Sequence, residues 1–268
     1  MMNSEELKQY LQTAISASID AGNEILDVYD SDFAVEHKED KSPLTLADKQ
    51  AHEKISEYLL KTSIPILSEE GKEIPYEERK NWHSFWMVDP LDGTKEFVKR
   101  NGEFTVNIAL IQNGNPILGV IYVPVKRVLY FAAEGIGAYK NSEFRIQNSE
   151  FDDLIVQSHK LPNHNHRTQY TVVASRSHPS QETEDFINDL KNEHGEVGIT
   201  SMGSSLKICL VAEGSADIYP RFGPTMEWDT AAGQAIVQCA GKQFLHYQSG
   251  KPMIYNKENL LNDWFIVK

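Results

Sequence analysis

The stretch Phe85-Trp86-Met87-Val88-Asp89-Pro90-Leu91-Asp92-Gly93-Thr94 governs how the rest of the chain is read. Its first four apolar residues, bounded by a turn signal, predict a short buried strand that ends abruptly at Asp89-Pro90. Proline after the first aspartate favours a tight turn, and Gly93 relaxes the backbone just beyond it. With Asp89 and Asp92 at the two ends of such a turn, their Cα atoms would lie within ~7 Å. Two carboxylates and the intervening Leu91 carbonyl would then converge on space that suits one or two hard cations. The competing reading is an aspartate-rich turn that satisfies its own backbone. A matching acidic strand end upstream decides against it, because residues 64–67 form a second short strand that runs into Ser68-Glu69-Glu70-Gly71.

Further upstream, Leu7, Leu11, Ile15 and Ile19 recur at helical spacing and predict an amphipathic helix to about Tyr29. Ala47, Ala51, Ile55 and Tyr58 predict a second helix, starting near Thr45 after Ser42-Pro43. Downstream the character changes. Residues 106–111, 117–123 and 128–132 are β-rich runs, separated by Asn113-Gly114-Asn115-Pro116 and by the Pro124 region. That pattern predicts an antiparallel meander rather than repeated βαβ units. The polar, weakly periodic stretch 141–167 is the best place for a boundary between an N-terminal α+β half (1–150) and a C-terminal α/β half (151–268). Beyond it come a strand at 171–174, a helix at 180–193 closed by Gly195, and a helix at 204–212 ended by Gly214. A strand at 216–219 and a helix at 230–240, stopped by Gly241, complete the pattern. The predicted class is α/β with α+β character, its sheets and helices stacked in layers.

Composition narrows the function. The 268 residues, 40% hydrophobic and 24% charged, can build one large core or two intimately packed halves. A net charge of −13 gives no general footprint for polymeric nucleic acid or an anionic membrane. It leaves room for a small nucleotide, since a few local cations hold a phosphate, and surplus carboxylates are what magnesium needs. No apolar run approaches the ~20 residues of a membrane-spanning helix, and the polar N-terminus does not read as a signal peptide. Cys209 and Cys239 sit in apolar helical patterns as free thiols, with no zinc-type cluster around them, so a reducing cytoplasm is the expected location.

Outside the aspartate motif, Glu69 is a better ligand candidate than Glu70, whose position fits a solvated turn. Asp229 precedes an Ala-rich helix and reads as its N-cap, a role worth ~1 kcal/mol that is compatible with facing a metal. The same helix start suits phosphate. Asp48 lies three residues after Thr45 and, on the residues alone, is the partner in a capping box. Lys207 follows the Gly203-Ser204-Ser205 turn. Together with Ser204 and backbone amides it could bind a phosphate or ribose. Arg221 and His178 follow predicted strands, where pockets usually form. Their competing readings are a solvated helix face for Lys207 and a surface ion pair for Arg221.

Two separated signatures, Trp86-Met87-Val88-Asp89-Pro90-Leu91-Asp92-Gly93-Thr94 and Glu227-Trp228-Asp229-Thr230-Ala231-Ala232-Gly233, resemble those of the inositol monophosphatase superfamily. Thr94-Lys95-Glu96-Phe97, Ala174-Ser175-Arg176-Ser177-His178, Gly203-Ser204-Ser205-Leu206-Lys207 and residues 219–225 resemble its bacterial bisphosphate nucleotidase branch. The resemblance covers nearly the whole chain, least well at the N-terminal helix and over 141–167. It implies a five-layered α-β-α-β-α sandwich. It also implies two or three Mg2+ ions held by Glu69, Asp89, the Leu91 carbonyl, Asp92 and Asp229. Asp48 and Thr94 would orient the attacking water, with Glu69 beside them, which raises Asp48 from cap to catalytic candidate. Glu69, Leu91, Asp92, Gly93, Thr94, His178, Ser204, Lys207, Arg221 and Asp229 would line the substrate site.

The implied reaction is hydrolysis of 3'-phosphoadenosine 5'-phosphate to AMP and phosphate in sulfur assimilation, with lithium as an inhibitor. The implied setting is the cytoplasm, with peripheral contact to the inner membrane and oligomerisation both left open. An inositol or sugar phosphatase would use the same metals with another pocket. A noncatalytic metal- or nucleotide-binding regulator would need a missing ligand, and none is missing.

Overall fold

The computed structural model describes residues 2–31, 43–142, 151–163, 167–174 and 180–268. Helices α1 (Ser4–Tyr29) and α2 (Pro43–Leu59) cover one face of a seven-stranded sheet. Its strands follow chain order as β1 (Ile66–Ser68), β2 (Ser84–Asp92), β3 (Thr105–Gln112), β4 (Asn115–Val123), β5 (Val128–Ala133), β6 (Gly137–Asn141) and β7 (His159–Lys160). Only β1 and β2 run parallel; the remaining neighbours form the expected antiparallel meander. Short helices α3 (Tyr76–Arg79), α4 (Thr94–Val98) and α5 (Phe151–Val156) fill its connections. β6 and β7 extend the meander beyond the three runs legible in the sequence.

Both faces of this sheet are buried. Trp86, Val88, Ile108 and Val120 face α1 and α2, while Phe85, Met87, Ala109 and Ile121 face the other way into a second core. A sheet covered twice has no polar face, which is why its strands read as continuous apolar runs.

The C-terminal half supplies β8 (Thr171–Val173), α6 (Gln181–His194), β9 (Gly198–Thr200), α7 (Leu206–Ala212), β10 (Tyr219–Arg221), α8 (Glu227–Cys239), β11 (Phe244–His246) and β12 (Phe265–Val267). α7 and α8 occupy the second face of the large sheet. A Cβ on Gly119 would stand 2.3 Å from the Ala232 carbonyl oxygen, so the α8 backbone rests directly on β4. Beyond these helices lie a small sheet of order β10-β12-β11 and the parallel pair β8-β9, joined by a bridge from Val172 to Ile218. α6 closes the outside with Ile187 and Leu190. The layers therefore run α-β-α-β-α. No described helix is long and apolar enough to cross a membrane.

Among the helix starts that differ from the sequence reading, two move a carboxylate. α2 begins at Pro43, a residue suited to a first turn because its missing N–H would have no helical acceptor there. Thr45 and Asp48 therefore lie within the helix, and Asp48 is no longer in the position of a capping-box partner. α8 begins at Glu227, so Asp229 is its third residue rather than its N-cap.

Candidate active site

The aspartate motif is a bulge within β2, not a turn after a strand that ends at Val88. Asp89 pairs with Asn107 and Asp92 with Thr105, three residues forward on β2 against two on β3. One extra residue is thus accommodated, the local irregularity that commonly re-aims side chains beside functional sites. Pro90 has no N–H to give the ladder, and the Leu91 N–H turns instead to Asp89 Oδ1 at 3.1 Å. The motif is thereby built into the sheet, with Asp89 only 1% exposed.

Glu69 reaches Asp89 because β1 lies parallel to β2 and the Glu69 N–H donates to the Val88 carbonyl at 3.1 Å. Asp229 enters from the α8 first turn, where its carboxylate accepts the Met226 N–H at 2.8 Å. One carboxylate oxygen from each of Glu69, Asp89 and Asp229 lies within 4.8 Å of the others. Glu69 is exposed as a whole, with its carboxyl end turned into the group. Asp48 is buried on α2, and burial first, then the Glu70 and Glu69 charges, push its pKa up to about 8.

Every charge acting strongly on Asp89 is acidic. Burial raises its pKa well above the carboxylate range, and Asp92, Glu69, Asp229 and Asp48 raise it further. Burial and Asp92 push Asp229 up to about 7, against the lowering effects of the Met226 N–H and Arg221. Such a cluster is costly as bare carboxylates. Its donors are all oxygens, without thiolate or imidazole, the set that magnesium takes. These residues fit a hard divalent cation.

Asp92 links this group to a basic rim. Its Oδ2 accepts the Ser204 hydroxyl at 2.6 Å and the Ser205 N–H at 2.7 Å. Lys207 is largely enclosed and donates to the Met202 carbonyl at 3.2 Å. Burial lowers its pKa, and neighbouring Arg221 lowers it too, while Asp92, Glu96 and Glu103 act in the opposite sense. Arg221, the last residue of β10, donates to the Pro224 carbonyl at 2.9 Å and acts electrostatically on Asp229. Gly93, at φ +98°, precedes exposed Thr94, the first residue of α4; a Cβ on Gly93 would press on Phe104 and Ser204 at 3.2 Å. The structure therefore brings Asp48, Glu69, Asp89, Asp229, Asp92, Lys207 and Arg221 into one region, while His178 lies outside the described residues.

Several neighbours carry no signal that sets them apart from the stretches around them. Asn107 and Thr105 are buried opposite the bulge, and Ser205 joins them from the far half of the chain. The Trp228 indole N–H is shut from solvent beside the Glu69 carboxylate, and its place next to Asp229 is the one clue that could have flagged it.

Two long matches agree with this arrangement. Residues 6–264 match the inositol monophosphatase family. The chain is 47% identical to the 3'(2'),5'-bisphosphate nucleotidase CysQ of Salmonella typhimurium, over 96% of this chain and 98% of that one. The chain belongs to the inositol monophosphatase family. Its fold superposes on the crystal structure of CysQ from Bacteroides thetaiotaomicron with a TM-score of 0.92, at 54% identity over 97% of each chain. An inositol monophosphatase from Anabaena shares the fold at a TM-score of 0.70 and 24% identity, over 98% of this chain and 91% of that one.

Proposed function

We propose that this chain is a magnesium-dependent 3'(2'),5'-bisphosphate nucleotidase. Its substrate is 3'-phosphoadenosine 5'-phosphate, hydrolysed to AMP and phosphate, and the corresponding phosphosulfate yields adenosine 5'-phosphosulfate. The reaction serves sulfur assimilation in the cytoplasm. The observation that carries this reading is a buried carboxylate group around Asp89 with two cationic side chains, Lys207 and Arg221, on its rim.

Glu69, Asp89, the Leu91 carbonyl, Asp92 and Asp229 would hold two or three Mg2+ ions. Bound divalent cations supply Lewis acidity toward phosphoryl oxygens and make water a better nucleophile near neutral pH. Asp48 and Thr94 orient the attacking water, and Glu69 accepts a hydrogen bond from it. Asp48 is suited to that role because its carboxyl is buried beside Glu69 and Glu70, and cations bound to the cluster would favour its ionised, proton-accepting form. Gly93 lets the backbone approach the scissile phosphate without a side chain in the way. Lys207 and Arg221 take the phosphate that is not cleaved, with Ser204 beside Asp92; His178, outside the described residues, is assigned to the substrate by the family resemblance. Phosphate release from the bisphosphate nucleotide and from inositol monophosphate, with and without Mg2+, tests the proposal. Faster nucleotide hydrolysis that needs Mg2+ is expected. Faster hydrolysis of inositol monophosphate would replace the substrate, and Mg2+-independent release would replace the metal.

A further inference from the structure

Ser205 plays no part in the proposed chemistry, yet its N–H and hydroxyl make four polar contacts at the site. It is 3% exposed and immediately precedes α7. Its backbone N–H and its hydroxyl both lie 2.7 Å from Asp92 Oδ2. The same hydroxyl is 2.8 Å from the Asp229 carbonyl and accepts the Asn107 side-chain N–H at 3.0 Å. Asn107 is 1% exposed and also reaches Asp92 Oδ2, at 3.4 Å. Ser204 donates to that oxygen too, from a left-handed backbone at φ +54° that serine seldom adopts. Strain held at one residue so that two successive hydroxyls meet one carboxylate oxygen is a reason to look for a functional constraint.

A carboxylate has two oxygens, and here every donor among the described residues goes to Oδ2. Asp92 is thereby held against rotation, with Oδ1 left for the site. With Asn107 supplying a proton to one lone pair, the Ser205 hydroxyl proton lies between Asp92 and the Asp229 carbonyl. One side chain therefore ties the β2 bulge to the first turn of α8. These elements come from opposite halves of the chain, and nothing local in sequence fixes their spacing.

We propose that Ser205, backed by Asn107, is a positioning residue for metal binding, setting the separation of Asp92 and Asp229 that a divalent cation must find. The inference rests on the metal reading of Asp89, Asp92 and Asp229. Partners that orient metal ligands commonly change affinity by about 10- to 100-fold when removed. Calorimetric titration of Mg2+ into the full chain is the test, applied to wild type, Ser205→Ala, Asn107→Ala and the double variant. It is accompanied by metal-free melting curves and by KM for the nucleotide at saturating Mg2+.

Ser205→Ala should weaken Mg2+ binding by about 10-fold or more, and Asn107→Ala by less. The double variant should be only slightly worse than Ser205→Ala, because Asn107 acts mainly through that hydroxyl and its direct reach to Asp92 Oδ2 is long, at 3.4 Å. KM at saturating Mg2+ should hold. Wild-type Mg2+ affinity in Ser205→Ala overturns this inference while leaving the metal site standing. A wild type that binds no Mg2+ overturns both. A raised KM with unchanged Mg2+ affinity makes Ser205 a substrate contact, and a fall in metal-free melting temperature alone makes it structural. If Ser205→Ala does not fold, Asn107→Ala decides on the same readouts, and unchanged Mg2+ affinity there overturns the inference.

Discussion

The acidic cluster and the basic rim meet at Asp92, yet they are held in opposite ways. Asp89 and Glu69 sit on neighbouring strands of a sheet buried on both faces, and their positions are fixed by main-chain pairing. Lys207 and Arg221 sit on a seven-residue helix and at the end of a three-residue strand, each bonded to a main-chain carbonyl. Neither carbonyl neutralises its cation, whereas the carboxylates face one another with no cation among the described residues of their group. Negative charge dominates the cluster and positive charge the rim, although Arg221 acts on Asp229 and Asp92, Glu96 and Glu103 act on Lys207 where the two meet. A substrate that brings phosphate, together with ions that bring positive charge, satisfies both. On the proposed reading, chemistry is centred on the large sheet and substrate choice on the rim that α7 and β10 supply.

The largest effect is expected where the large sheet is altered. Asp89→Asn should lower Mg2+-dependent phosphate release by orders of magnitude. It should leave the metal-free melting temperature unchanged or raised, because it removes one member of a mutually repelling group. Near-normal turnover would break the division, since chemistry would then not depend on the buried strand.

Asp48→Asn sharpens the same side. Asp48 lies within α2 rather than at its cap, so the substitution removes no terminal hydrogen bond of the helix. The expectation is a fall in kcat by orders of magnitude with little change in KM, the signature of an interaction made in the transition state. Activity that merely tracks thermal stability would return Asp48 to a structural role.

How much of this was legible follows the same divide. The centre of the meander, β3 to β5, was readable because each of these strands is a run rich in β-branched, aliphatic or aromatic residues, buried on both faces and bounded by local turn residues; β6 and β7 are too short or too polar to carry that pattern. The paired carboxylates Asp89 and Asp92 were readable because both lie in one short motif. The bulge was not, because it exists only relative to β3. The start of α8 was misplaced for a similar reason. Glu227 is fully buried and is held by the Asn256 and Lys257 main-chain N–H groups, 29 and 30 residues further along the chain. Periodicity therefore begins at the alanines, while the helix begins at a glutamate that also pairs with the distant Lys257 ammonium. β11 and β12 are three residues each, too short to carry a pattern. Ser205 and Asn107, 98 residues apart, meet only after the two halves assemble.

On the rim, Lys207→Ala should raise KM for the bisphosphate nucleotide by about tenfold to a hundredfold. A hydrogen bond to a charged group contributes about 1.5–3 kcal/mol, and each 1.4 kcal/mol is a factor of ten. KM for a small monophosphate should move little, because that substrate has no second phosphate to lose. Steady-state kinetics on both substrates checks this. Equal losses would merge the two regions into one general phosphate site and remove the comparison.

The smallest expected effect concerns pH in the metal-free protein. Asp48 and Asp229 titrate near 8 and 7 when folded, against about 4 for an unfolded aspartate. A carboxyl with a raised folded pKa keeps its proton longer in the native state. Its contribution to stability is therefore full below about pH 4 and is lost as pH rises through the folded value. His52, whose pKa burial lowers, acts in the opposite sense only up to its ordinary value near 6.5. Between about pH 6.5 and 8 the melting temperature in EDTA should consequently fall as pH rises. Asp48→Asn should flatten that slope, since the amide has no proton to lose. Mg2+ favours the ionised carboxylates, so its stabilising effect should grow over the same interval. The acidic cluster would then be destabilising alone and stabilising when loaded, whereas Lys207→Ala, altering the rim, should leave the wild-type slope nearly unchanged. A flat melting profile in EDTA for the wild type would mean that the carboxylates do not repel one another in solution, and the contrast between the two regions would fail at its acidic end.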